Sequence, residues 1–461
     1  MKKHLNNHHL KRQIGLFSAT VLVVANMIGT GIFATSGFIM EELGNPHTML
    51  FCWLVGGIFA LCGALCYGEL GAMFPKAGGE YIFLKESFGK AMGFLSGWIS
   101  LIVGFSAPIA AASVAFATYF FQSLPGSLVH ASGPRFLGVQ LLTLSPITLS
   151  AVAIIIVISV IHYHSLRLGS RVQNGLTILK VGLIVAFVAS GLLLGNGSMD
   201  HFSGGLDVGT VFQSKFAVSL IFISFAYSGW NAAAYLGGEI KKPKRNIPLA
   251  LFTGTCLVTC LYLLLNIVYI FALPAKEISG VLEVGAKSAA ALFGDHIGKY
   301  ISGAISIALL SVLSAMIMTG PRVYYAMARD GVLFELFGKV NQLHRTPAHA
   351  IFLQATIAIM MVLTASFDTL LIYIGFTLSL CAMLTVLGMI RLRLKKPDLR
   401  RAYKTFGYPV TPILFIAGNV WITYYAIHSK PITSLFGLGT IGLGALVYLY
   451  VSRRKSASDE I

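Results

Sequence analysis

The sequence predicts an all-α polytopic membrane protein of twelve transmembrane helices. Ten of them form two inverted repeats of five, with the first and sixth helices discontinuous. Three observations lead there. Of the 461 residues, 56% are hydrophobic and 11% charged, with a mean hydropathy of +0.79, which excludes an ordinary water-soluble domain. Apolar stretches of the ~20 residues needed to cross ~30 Å of hydrocarbon recur along the whole chain, separated by short polar segments. The first five stretches match the next five at offsets between about 194 and 207 residues, and because five is odd the two halves enter the membrane from opposite sides.

Taken in order, the spans cover residues 14–38, 48–72, 91–120, 147–164, 174–195, 213–238, 249–273, 299–327, 348–366, 368–390, 409–428 and 432–452. Residues 1–13 form a tail, 14–195 the first repeat, 213–390 the second, 409–452 spans 11 and 12 outside the repeat, and 453–461 a second tail. The net charge of +17 is spread unevenly. Alternate connections, starting from the N-terminus, carry 27 of the 34 Lys and Arg, and the connections between them carry 5. This positive-inside pattern places both termini in the cytoplasm, with the chain in the plasma membrane as a multi-pass protein. The basicity is thus topological. Nucleic acid is not expected as a partner, because no soluble segment is long enough to form a binding domain. The first apolar run is too long for the core of a cleavable signal peptide and is expected to remain as span 1. Cys52, Cys62, Cys66, Cys256, Cys260 and Cys381 all fall within spans, where they read as packing residues rather than a disulfide framework.

Within span 1 the run NMIGTGIF (26–33) places Gly29, Thr30 and Gly31 about halfway across, where two glycines weaken helical backbone. The matching point of span 6 reads FAYSGWN (225–231). Small residues at such a point allow two readings: close helix packing, or a break that lines a binding cavity. The matched interruption favours the break. A broken helix presents free N–H groups where its second half starts, favouring an anion, and free carbonyls where its first half ends, favouring a cation. A ligand carrying both charges on one carbon satisfies both, which describes an α-amino acid.

With NMIGTGIF, the segments YGELGAMFPKAGGEYIFLKESFG (67–89), FAYSGWNAAAYLGGEIKKPKRNIP (225–248) and GPRVYYAMARDG (320–331) resemble the amino acid-polyamine-organocation (APC) superfamily, and within it the L-type amino-acid transporters and their bacterial relatives. The resemblance covers nearly the whole chain and implies the LeuT/APC-type fold. It further implies that the backbone N–H groups of Thr30 and Gly31 take the substrate carboxylate, with Gly29 allowing the turn. The carbonyls of Met27, Phe225, Ala226 and Ser228 would take the ammonium, and the Phe225 ring would close over bound substrate. Thr30 stands where Ser is frequent and Ser228 where Gly is frequent; the added Ser228 side chain narrows the pocket and favours small substrates such as alanine or serine.

Lys180 lies about two turns into span 5. A charge near the membrane centre costs about 2.5–3.5 kcal/mol, so it is either functional or snorkels to the surface some 9 Å away at 1.5 Å per residue. The resemblance places such a lysine beside the broken span 1, where sodium-coupled relatives bind their ion. Ser311 and Ser314 in span 8 could ligate sodium; Lys180 argues against it. Two mechanisms remain open: exchange of one amino acid for another with Lys180 charged throughout, towards which the resemblance leans, or proton-coupled symport with Lys180 changing protonation.

Glu69 and Glu239, at the ends of spans 2 and 6, read either as partners of nearby basic residues during gating or as solvated surface charges. His162, His164, His4, His8 and His9 read as interfacial residues, since no carboxylate or cysteine completes a metal site. Segment 275–298 reads as a short amphipathic helix over the outer entrance, as a gate or as a lid against lipid. No cofactor is expected. A membrane-integral enzyme would need a buried catalytic cluster that the spans do not supply, and a channel would need a filter or charged ring. In the vertebrate L-type relatives a cysteine between spans 3 and 4 joins the carrier to a glycoprotein. Residues 121–146 contain none, so no disulfide-linked heavy chain is expected.

Overall fold

Span 1 stops and restarts midway, and the other helices are arranged around that interruption. The computed structural model describes residues 12–124, 135–136, 139–140, 144–164, 166–341, 346–364, 367–429 and 431–459; His4, His8 and His9 lie outside the described residues. Among the described residues, nine helices are long and apolar enough to cross a membrane. Three shorter apolar helices, Ser214–Ala226, Ala348–Thr364 and Ser434–Tyr450, stand at the expected places of spans 6, 9 and 12, giving twelve. Among the described residues a two-residue antiparallel pair, Arg135–Phe136 with Val139–Gln140, lies between spans 3 and 4.

The helix ends follow local chemistry. Span 1 finishes at Gly44, whose φ of 63° is the left-handed conformation that glycine adopts without strain and whose N–H closes on the Met40 carbonyl at 2.7 Å. Span 2 (Pro46–Met73) begins at once, with Asn45 accepting the Thr48 N–H at 2.9 Å and Pro46 in the first turn, where a missing N–H costs nothing. Span 3 runs as Lys90–Ile99, a π-helical turn Ser100–Ser106 and Ala107–Ser123. Span 4 is Pro146–His164, span 5 Leu166–Leu194, span 7 Pro243–Ala272, span 10 Phe367–Lys395 and span 11 Val410–Ser429. Span 8 runs from Asp295 to Arg329.

Each of the first four spans packs against its counterpart in the second half: the second part of span 1 against span 6, span 2 against span 7, 3 against 8 and 4 against 9. Counterpart-on-counterpart packing is what two inverted repeats related by an axis in the membrane plane produce. On the side opposite the termini, Val284–Phe293 and the turn before it close against span 1, where the Gly280 N–H meets the Gly37 carbonyl at 3.0 Å and a Cβ on Gly37 would overlap the Val281 backbone. The segment is therefore seated on protein rather than only on lipid.

Candidate binding site at the two helix breaks

The first half of span 1 (Leu16–Met27) ends on Ile28, whose ψ of 94° leaves the helix, and the second half (Thr30–Leu43) starts directly after Gly29. No side chain caps that start, so the N–H groups of its first turn, Thr30 and Gly31 foremost, lack intrahelical partners deep inside the molecule. Gly29 itself has φ −134° and ψ −150°, extended backbone open to any residue. The turn at position 29 therefore does not depend on glycine. Gly31 is the constrained glycine: a Cβ there would overlap the Ala226 backbone.

The carbonyls that end the first half carry donors. Lys180, fully buried, donates from Nζ to the Ala25 carbonyl at 3.1 Å and the Ile28 carbonyl at 2.5 Å. It does not snorkel. The Tyr262 hydroxyl of span 7 stands between the Met27 carbonyl at 2.6 Å and the Ala226 carbonyl at 3.0 Å, so one phenol bridges both breaks.

Span 6 breaks over a longer stretch. Its helix Ser214–Ala226 gives way to turns at Tyr227–Asn231, one helical turn at Ala232–Tyr235 and then irregular chain. Gly229, at φ 97°, lies where a Cβ would meet the Asn26 backbone at 2.8 Å. The contacts are reciprocal: Gly31 of the first break sits on Ala226 of the second, and Gly229 of the second sits on Asn26 of the first. Met27, Gly29, Thr30, Gly31, Phe225, Ala226 and Ser228 thus all border one hollow of about 20 Å³, closed by Val312 and Met316 of span 8.

The family model for amino acid permeases matches residues 14–450. The chain belongs to the amino acid permease family. A serine/threonine exchanger of Bacillus subtilis is 32% identical over 462 residues, covering 99% of this chain and all of the exchanger. The human large neutral amino acids transporter small subunit 2 is 30% identical over 455 residues, covering 95% of this chain and 80% of that one. The human b(0,+)-type amino acid transporter 1 is 30% identical over 430 residues, covering 92% and 84%. These relatives are transporters, not enzymes, and the permease is a multi-pass membrane protein.

In this permease the hollow leads past Asn26, Ser228 and Met316 to a central cavity of about 90 Å³ bordered by spans 2, 3, 6, 8, 10 and 11. At its base Glu80, from the helix Glu80–Phe88 between spans 2 and 3, accepts hydrogen bonds from the Tyr67 hydroxyl at 2.6 Å and the Asn231 amide at 2.8 Å. Beyond it lies the side that bears the termini and most of the basic residues, which we call the basic face. There Glu239 is bonded by Arg322 Nε at 2.9 Å, and its carbonyl accepts the N–H groups of Gln13 at 2.8 Å and Ile14 at 3.0 Å. Glu69 pairs with Arg393 and accepts the Thr405 N–H at 2.7 Å, with Arg401 Nε 3.3 Å away. Both glutamates are wholly buried, so the solvated reading of them is wrong.

The Phe225 carbonyl accepts the Ser228 N–H at 2.9 Å, closing the turn. One further sequence expectation is corrected. His162 is not interfacial; it is buried and its Nε2 lies 2.8 Å from the Ser314 hydroxyl. Ser311 lies 3.3 Å from the Thr177 hydroxyl. Both serines considered as sodium ligands therefore have side-chain partners. Tyr262, Glu80 and Asn231 were missed. The quoted motifs contain Glu80 and Asn231, but nothing local in GGEY or GWN marks them as buried partners.

Proposed function

We propose that this permease exchanges small neutral L-amino acids across the plasma membrane by alternating access, without sodium. The observation that carries the reading is the uncapped start of the second half of span 1, set against the bridged carbonyls of both breaks within one hollow. The Thr30 and Gly31 N–H groups take the carboxylate. The ammonium takes the remaining lone pairs of the Met27, Phe225, Ala226 and Ser228 carbonyls, since each carbonyl oxygen accepts two hydrogen bonds. Phe225, bordering the hollow from the last turn of the span 6 helix, is the occluding ring.

Lys180 stands in for a sodium ion: its ammonium holds the carbonyls that a bare cation would otherwise require, and it links substrate to the gate. The hollow of about 20 Å³ holds about one water molecule, so an amino acid enters only after the breaks move apart. The repeats 14–195 and 213–390 are the bodies that move. The basic face is cytoplasmic, as its Lys and Arg excess supports. The Ser228 side chain on the wall of the hollow supports small substrates, and so does the similarity to a serine/threonine exchanger over the whole chain. With no cysteine in residues 121–146, the chain works without a disulfide-linked heavy chain.

The test is uptake of labelled serine into proteoliposomes. Internal unlabelled serine should accelerate uptake, with no response to sodium and no accumulation driven by a pH gradient. Gradient-driven accumulation without stimulation by internal serine replaces exchange by proton symport.

A further inference from the structure

Among the described residues three carboxylates are buried, and they are not held alike. Glu69 has Arg393 and Arg401, and Glu239 has Arg322. Glu80, 4% exposed, has no cation within ion-pair distance among the described residues. Its hydrogen-bond donors are the Tyr67 hydroxyl, the Asn231 amide and the Tyr235 hydroxyl, all neutral. The titratable groups facing it are Tyr67 from span 2, Tyr235 from span 6 and Cys381 from span 10, none of them cationic. The charged residues of its own helix are turned away, Lys85 to Asp330 at 2.6 Å and Glu86 to Lys76 at 3.8 Å. Glu80 is also the one of the three that borders the central cavity, with Asn231, Ser228 and Trp230.

A carboxylate shut away from water without a countercharge is costly as an anion and relieves the cost by taking a proton. Burial pushes the Glu80 carboxyl above the usual carboxylate range, and its donors oppose that push without cancelling it. An ionised carboxylate only accepts. Once protonated, one oxygen donates, and the tie it makes among Tyr67, Asn231 and Tyr235 must be remade.

We propose that Glu80 is a proton-binding site on the transport path, protonated while the cavity is closed and deprotonated when it opens to water. The proton comes from cavity water to a Glu80 carboxylate oxygen, forming an O–H bond, and returns to the water of whichever side opens. Protonation thus sets the rate of exchange and not its direction. The proton affinity is higher closed than open, so protonation favours the closed form. That advantage disappears as pH rises through the closed-state value, and exchange is slowest in acid. The inference rests on the central cavity being the path of the exchanged amino acid.

Two readouts test it on the full chain. The first is serine exchange in proteoliposomes with equal pH on both sides, over about pH 5–8. The second is a tryptophan fluorescence titration over the same range, because the Trp230 ring lies 4.6 Å from the Tyr67 ring, centroid to centroid. Wild-type exchange should rise at least about fivefold with one inflection, matched by a fluorescence change that Trp230→Phe removes. Glu80→Gln should hold exchange at the slow acid-limb rate at every pH and abolish the titration. Tyr67→Phe removes a donor to the anion and should move the inflection upward by about one pH unit. A Glu80→Gln profile or titration identical to wild type overturns the proposal. If that variant does not fold, an unmoved inflection in Tyr67→Phe overturns it instead. A wild-type protein that titrates through Trp230 but shows no exchange leaves the proton site standing and removes the exchange reading.

Discussion

The two breaks occupy equivalent positions in the two repeats, yet they are held open by different chemistry. In span 1 the interruption is two residues long, Ile28 and Gly29, and its exposed carbonyls are met by the Lys180 Nζ and the Tyr262 hydroxyl. In span 6 the chain leaves the helix for five residues, and side chains on the break itself, Ser228 and Asn231, reach the cavity and the buried Glu80. The Lys180 and Tyr262 side chains thus compensate the first break and the Glu80 carboxyl group the second. Non-helical backbone in the bilayer needs compensation at every polar group, and the fold supplies it from neighbouring helices in one case and from the connection between spans 2 and 3 in the other. Repeat symmetry specifies where the chain breaks, not what holds it.

Four substitutions break or sharpen that comparison, each measured as exchange of labelled serine in proteoliposomes, with thermal melting of the purified variant as the check on folding. Gly31→Ala should have the largest effect, a loss of more than about 100-fold, because its Cβ would fall on the Ala226 backbone at the point where the two breaks touch. Retained exchange would mean that the breaks are not in contact in the working protein. Lys180→Ala removes the donor from two buried carbonyls, Ala25 and Ile28. Each unsatisfied group costs about 1–3 kcal/mol, so exchange should fall about 10- to 100-fold; undiminished exchange would leave the lysine a packing residue. Tyr262→Phe keeps the ring and removes the bridge between the Met27 and Ala226 carbonyls. A three- to tenfold fall, about 1 kcal/mol, is expected, mostly in apparent affinity, because the ammonium can claim the vacated lone pairs only in part. Gly29→Ala should matter least, no more than about threefold, since its backbone is extended and its nearest neighbour would be a Val312 methyl at 3.4 Å. If Gly29→Ala were as damaging as Gly31→Ala, the hollow would be under tighter constraint than its walls indicate.

The contrast between these two glycines shows where sequence reading stops. The GTG run marked a break and located it correctly, because glycine content acts on the helix in which it lies. Which glycine is indispensable depends on the surface brought against it, and that surface belongs to residue 226. Lys180 was legible as an anomaly because a charge in an apolar run is visible without a fold. Its partners at residues 25 and 28 were not. Glu69 and Glu239 were legible as carboxylates at helix ends, but the choice between solvated and paired was left open until burial and arginines 324 and 83 residues away decided for paired.

Twelve spans, their alternating entry into the membrane, the two break points and the zwitterionic character of the ligand were determined by the sequence itself. The spans follow from local composition, and the alternation and the breaks from charge counts and the match between the two halves, none of which needs a side-chain contact. Only the tertiary structure decided that one tyrosine bridges both breaks, that the serines considered for sodium are engaged by His162 and Thr177, and that Glu80 lacks a countercharge beside the cavity. Those are pairings between groups distant along the chain, and the energy of a buried polar group is set by the few ångströms around it rather than by its neighbours in sequence.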